Sequence, residues 1–268
     1  MGELGRRARV LALSATTALA AQQAALAGAW TQPRGGWQLI TSFDEAHAAK
    51  GFDGSGRADA PIRFDKLYLK SLAEYGWSDK LTLFLAPEYI IADSTWSDKP
   101  TLLARDMGIE AGARIRLTQA FGIVSLQGSF RFAGPFDLSN SRSRKSARIA
   151  ELRLLYGTDF KLFGRDGFAD LEVAERAITH PRPNETVLDT TAGLWLGAKT
   201  LVMLQGFNTV SGGDAEPPYS YFRTDKLELS VVRCWSGRWW FQAGIFVSPD
   251  GQNSLVEQGV TTALWLRT

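Results

Sequence analysis

The side chains able to do chemistry in this chain are mostly charges, and most recur at every second position. Lys66, Lys70 and Glu74 share one parity of a segment whose other parity is largely apolar. So do Asp106, Glu110, Arg114 and Arg116, then Arg131, Glu151, Arg153, Asp170, Glu172, Arg176, Asp189, Lys226 and Glu228. Rows of fixed charge can line a water-filled passage and select solutes by sign. They can equally pair across strands, at about 0.2–1 kcal/mol per pair. Eight of these residues are basic and eight acidic, so strong selectivity for either sign is not expected. Arg153 and Glu172 are expected to approach each other if their segments pair across the Phe160–Gly167 turn.

Other chemistry is sparse. His47 and His180 are the only histidines, and both are expected in solvated loops. A lipid-hydrolysing barrel needs a Ser–His pair within hydrogen-bond reach. No His-x-Ser arrangement occurs, and Ser42 with His47 gives no convincing dyad, so no catalytic residue is assigned. Cys234 is the one cysteine, which excludes an intramolecular disulfide, and no Cys/His cluster suggests a metal. No cofactor is expected. The run Ser139–Arg148 holds the one dense basic patch, with Arg142, Arg144, Lys145 and Arg148. On an external loop it could meet lipopolysaccharide phosphates, which match Arg and Lys donors.

The elements that must carry these charges are long strands. In the run Arg105–Phe132, Met107, Ile109, Ala111, Ala113, Ile115 and Leu117 alternate with Asp106, Gly108, Glu110, Gly112, Arg114 and Arg116. A period of two is a strand signature, and each arm exceeds the usual 5–6 residues. A tilted membrane-crossing strand needs about 9–11. Further strands are expected at Gly36–Ala46, Arg63–Gly76, Asp79–Ala92, Arg148–Phe160, Gly167–Ile178, Thr186–Ala198, Leu201–Val210, Tyr221–Cys234, Arg238–Val247 and Leu255–Arg267. Pro87 lacks a ladder N–H, so a bulge is expected there. Connections after even strands are short and those after odd strands mostly long and polar, as in outer-membrane barrels. Trp77, Phe163, Trp235, Trp239 and Trp240 gather near the short turns. Tyr89, Phe132, Phe136, Tyr219, Tyr221 and Phe222 gather near the long loops. Two aromatic girdles are therefore expected. The reading is all-β: a membrane-spanning antiparallel up-and-down β-barrel of about 12 strands, in the outer membrane.

The N-terminus supports export. Arg6, Arg7 and Arg9 precede an Ala/Leu-rich stretch that ends in Ala25-Leu26-Ala27, the order of a secretory signal peptide. Residues 1–27 are expected to be removed and 28–268 to form one barrel domain. Removal takes three arginines and Glu3, leaving 27 basic and 27 acidic side chains. No basic stripe remains to suggest nucleic acid.

The start Gly28-Ala29-Trp30-Thr31-Gln32-Pro33-Arg34-Gly35-Gly36 and the ending Ala263-Leu264-Trp265-Leu266-Arg267 resemble the XagA-type outer-membrane proteins of proteobacteria. That resemblance implies a barrel, loosely transporter-like, and transfers no catalytic residue. The ending also resembles a barrel assembly signal, with Gly259 before alternating apolar residues, though the chain finishes on Thr268 and not on an aromatic residue. Expected partners are outer-membrane lipid, lipopolysaccharide, the assembly machinery and a small polar solute. A narrow pore is one expectation. A closed barrel serving as an anchor or adhesive surface is another, and a lipid-modifying enzyme a third.

Overall fold

The computed structural model describes residues 28–95, 102–133, 147–179, 182–212 and 221–268. Its first half comprises β1 (Trp37–Phe52), β2 (Ala60–Ser78), β3 (Leu81–Thr95), β4 (Leu102–Thr118), β5 (Ile123–Ala133) and β6 (Ala147–Leu162). Then come β7 (Arg165–Ile178), β8 (Glu185–Gly197), β9 (Thr200–Ser211), β10 (Arg223–Ser236) and β11 (Trp239–Gln252). A two-residue strand, β12 (Ser254–Leu255), precedes β13 (Gln258–Arg267). The twelve long strands pair antiparallel in chain order, and β1 pairs with both β2 and β13, so the sheet closes into a barrel with no free edge. Closure satisfies every ladder without water, the condition for crossing a bilayer with strands.

Alternation separates two faces. Along β2, Phe64, Lys66, Tyr68, Lys70, Leu72 and Glu74 are buried inside, while Leu67, Leu69 and Tyr75 face out. The same outward apolar belt includes Leu85, Ile109, Leu154, Val173, Leu188, Leu229 and Ile245, all substantially exposed. An aqueous surface would not carry so continuous an apolar band, whereas hydrocarbon favours it.

The short turns, the start of β1 and the end of β13 share one rim, which the rule for such barrels makes periplasmic. Trp77, Phe163, Trp235 and Trp239 point outward there, and Tyr89, Phe132 and Tyr221 point outward toward the other rim. Two of the expected girdle residues face inward instead. Trp240 packs in the interior, where Arg267 stacks over its ring at 4.2 Å, and Phe222 is fully buried. Phe136 and Tyr219 lie outside the described residues.

Several expectations need correction. No bulge forms at Pro87: the register with β4 runs unbroken, and the partners of β2 on either side keep the same offset. The pairs that Ser71 and Leu72 would make on β2 are simply missing, so the absent N–H costs ladder bonds without moving the strand. β1 runs past Ala46 to Phe52, which places His47 within a strand, its Nδ1 2.8 Å from Asp65 Oδ1. Ser42 is turned toward the lumen, whereas His47, five residues on, takes the opposite face, so the two cannot form a dyad. His180 lies outside the described residues. At the outer end of β1, the turn is ordered by Asp53, which accepts from the Ser55 hydroxyl and from the N–H groups of Ser55 and Arg57. The Ser55 hydroxyl bond, then the Arg57 N–H, hold the Asp53 carboxyl well below the usual carboxylate range.

The closing seam is tight. A Cβ on Gly259 would lie 2.0 Å from the Glu45 carbonyl oxygen and 2.5 Å from a Phe246 ring carbon. Backbone cannot yield as a side-chain tip can. Gly259→Ala is therefore expected to cost about 1–3 kcal/mol through forced displacement of β1 from β13. A lower fraction of heat-modifiable folded barrel on gels checks this; an unchanged fraction would show that the seam relaxes freely.

Candidate functional site

The interior of the barrel is the candidate site, and its charges form linked groups. Arg153 on β6 is the hub of one. Its Nε donates to Glu151 Oε1, and its Nη1 donates to Glu172 Oε2 and Asp189 Oδ2, each at 2.7 Å. All three partners lie on inward positions of β6, β7 and β8. Arg153 and Glu172 are not directly opposite, since Arg153 pairs with Ala174, so the contact runs diagonally. Arg176 extends the group, 2.6 Å from Glu151 and 3.3 Å from Glu185.

A second group lies toward the external rim. Glu257 accepts from Lys66 and Lys226, at 3.0 Å in each case. Asp44 accepts from Thr261, and Glu228 and Ser230 both receive the Gln242 amide. In a third group, Glu88 takes Arg131 and the Tyr68 hydroxyl, while Glu110 accepts from Ser129 and lies 3.9 Å from Lys70. The fourth group is nearer the periplasmic rim, where Arg114 donates to Glu74 at 2.9 Å and to Gln127 at 3.0 Å.

Of the remaining sequence candidates, Asp170 is buried inside β7 and accepts the Ala29 N–H at 2.8 Å. Asp106 is also buried inside, on β4. Arg116 is half-buried at the periplasmic rim, where its N–H donates to the Lys80 carbonyl. Arg148 is exposed at the external end of β6, and Arg142, Arg144 and Lys145 lie outside the described residues. Among the described residues no His, Cys, Asp and Glu cluster is arranged to hold a metal ion.

Sequence reasoning missed several interior residues: Asp44, Glu88, Glu185 and Glu257. Glu257 has the parity of Thr261, Ala263 and Trp265, and that signal could have found it. Glu88 was obscured because its inward neighbours on β3 include Phe84 and Ala86, so polarity does not separate the two faces there.

Between the Arg153, Glu110 and Arg114 groups lies a small cavity of about 30 Å³ that opens in part to solvent. Its walls are Lys70, Glu110, Arg114, Gln127, Glu151, Arg153 and Arg176, with Leu72, Phe84 and Ala86 as an apolar strip. Below it, on the β9–β13 side, the interior is apolar. Ile40, Leu201, Met203, Val232, Ala263 and Trp265 cluster there with Phe168, Trp195 and Trp240. Trp195 and Trp240 meet edge to face at 5.9 Å, and the Trp265 indole N–H donates to Gln242 at 3.1 Å. The arrangement is a small polar cavity lined by hydrogen-bonding groups, and among the described residues no nucleophile–base pair is placed in it.

This geometry matches solved structures. The COG4313 outer-membrane channel from Pseudomonas putida F1 aligns with a TM-score of 0.67 over 89% of this chain and 97% of that one, at 12% identity. The chain folds as an outer-membrane β-barrel. The translocator domain of the autotransporter NalP from Neisseria meningitidis aligns at 0.52, with 11% identity over 87% and 88% of the two chains. The transport unit of the Escherichia coli autotransporter AIDA-I also aligns at 0.52, with 9% identity over 98% and 97%. At these identities the likeness is one of fold. No protein family matches the sequence, and no curated protein is significantly similar to it.

Proposed function

We propose that the barrel is a narrow, non-enzymatic channel for small polar solutes. The observation that carries this reading is a small cavity of about 30 Å³, partly open to solvent and walled by buried side chains of both charges inside the barrel. Twelve strands lie between the eight that side chains nearly fill and the sixteen or more of open porins. The wall offers solutes both signs of charge and amide groups, with no group placed for bond breaking. Resemblance to XagA-type proteins at the two ends agrees with a transporter-like role. Outer-membrane lipid, lipopolysaccharide at Arg142, Arg144, Lys145 and Arg148, and the assembly machinery are the partners this reading implies.

Single-channel recording in planar bilayers tests it. The expected result is small, discrete openings, with a reversal potential near zero in a KCl gradient because cationic and anionic walls face each other. A steep preference for one ion would contradict the balanced lumen. Folded protein that never passes current, in any variant, would favour a closed barrel acting as an anchor. The packing of the apolar cluster beside the periplasmic rim is the observation on that side.

A further inference from the structure

The stretch Gly28–Gly36 precedes β1, yet it does not trail away from the barrel. Its first part, Gly28–Gln32, lies inside the periplasmic mouth, and side chains of four strands hold its main chain. Asp170 accepts the Ala29 N–H at 2.8 Å, and the Ser125 hydroxyl donates to the Ala29 carbonyl at 2.6 Å. Arg114 donates to the Trp30 carbonyl at 2.9 Å, and Thr82 accepts the Gln32 N–H at 2.8 Å. Glu74 accepts from the Gln32 side chain at 2.9 Å. Trp30 meets Phe168 edge to face at 5.7 Å, which joins the stretch to the apolar cluster.

The wall is shaped for it. Gly76 and Gly157 both face inward, and a Cβ on either would strike the stretch: 2.0 Å from the Pro33 carbonyl oxygen in one case, 2.7 Å from the Trp30 ring in the other. Room has been left where the stretch lies. The stretch itself forms no strand, and the β1–β13 ladder is complete without it. Arg114 both walls the cavity and donates to the Trp30 carbonyl, so one side chain links the cavity to the stretch.

We propose that Gly28–Pro33 is a detachable plug: docked, it closes the periplasmic mouth, and undocked it opens the path for small polar solutes, a reading on which this inference rests. Gly35 and Gly36 bond to the main chain of Gly76 on β2 and stay with the wall as its hinge. Ahead of them the segment is irregular and its main chain is held by strand side chains, so it can leave without breaking the sheet. The processing proposed after Ala27 would place a new ammonium one residue from the Ala29–Asp170 bond, at most ~6 Å from that carboxylate by chain geometry. A buried oxygen of Asp189, across the ladder on β8, has no hydrogen-bond partner, so a cation suits this corner.

The test is conductance of the full chain in planar bilayers. One variant lacks Gly28–Pro33. A second carries Gly157→Ala, whose Cβ would lie 2.7 Å from the Trp30 ring and so forces the docked stretch off the wall. Both are expected to raise conductance severalfold. Should the deletion fail to fold, the Gly157→Ala variant decides alone. A folded variant of either kind that conducts like the parent overturns the plug and leaves the channel reading standing. No current from any folded variant overturns the channel reading, and the plug with it.

Discussion

Replacing Arg153 with alanine is expected to destabilise the barrel by about 3–5 kcal/mol, the cost of leaving buried charges without their partner. Three carboxylates converge on this guanidinium at 2.7 Å, and its side chain is 2% exposed. Removing it strands Glu151, Glu172 and Asp189 together in a region shielded from water. Glu151 keeps Arg176 at 2.6 Å, so Glu172 and Asp189 bear most of the penalty. For a protein of this size the shift in melting temperature should be on the order of 10 °C. The temperature of the gel-mobility change in detergent reads it directly. Arg153→Lys should fall between parent and alanine variant, because a lysine keeps the charge but lacks the planar fork that reaches several acids at once. An alanine variant as heat-resistant as the parent would show that water already serves these acids, and the hub would lose its structural role.

The second large effect concerns the outer face. Leu154 sits mid-way along β6 and is 51% exposed; Leu162 ends the same strand on the same face and is 44% exposed. If that face meets hydrocarbon, Leu154→Arg should cost about 2–4 kcal/mol and Leu162→Arg no more than about 1, since the penalty falls toward the interface. Exposure in the isolated barrel is nearly equal, so water alone predicts equal and small effects. Folding yield into lipid vesicles, measured for both, separates the cases. Equal yields would remove the physical basis for assigning this belt to lipid.

Residue by residue, legibility followed the range of the interactions. Lys66, Lys70, Glu74, Arg114 and Glu172 could be placed on the inner face because parity in a strand is a local property of the backbone. The expected worth of the Arg153–Glu172 pair, in contrast, was that of a single cross-strand contact. The structure makes Arg153 a hub for three strands, and only closure of the sheet brings Asp189 to it. Pro87 shows the reverse error: a local rule called for a bulge, but pairing with β4 held the register. Trp240 and Phe222 fell near the right rims, and the face each occupies was set by strand ends and tertiary packing.

By itself the sequence determined the all-β alternation, the rhythm of short and long connections, the apolar belt and the balance of inward charge. Each of these depends on neighbours two residues apart or on turn composition. Tertiary structure alone decided which charges share a partner, where a cavity remains, and that Gly28–Gln32 lies inside the mouth. These contacts join residues as distant as Ala29 and Asp170, 141 positions apart, and Lys66 and Glu257, 191 apart. No local pattern encodes them, because they exist only once β1 has met β13 and the barrel has an interior.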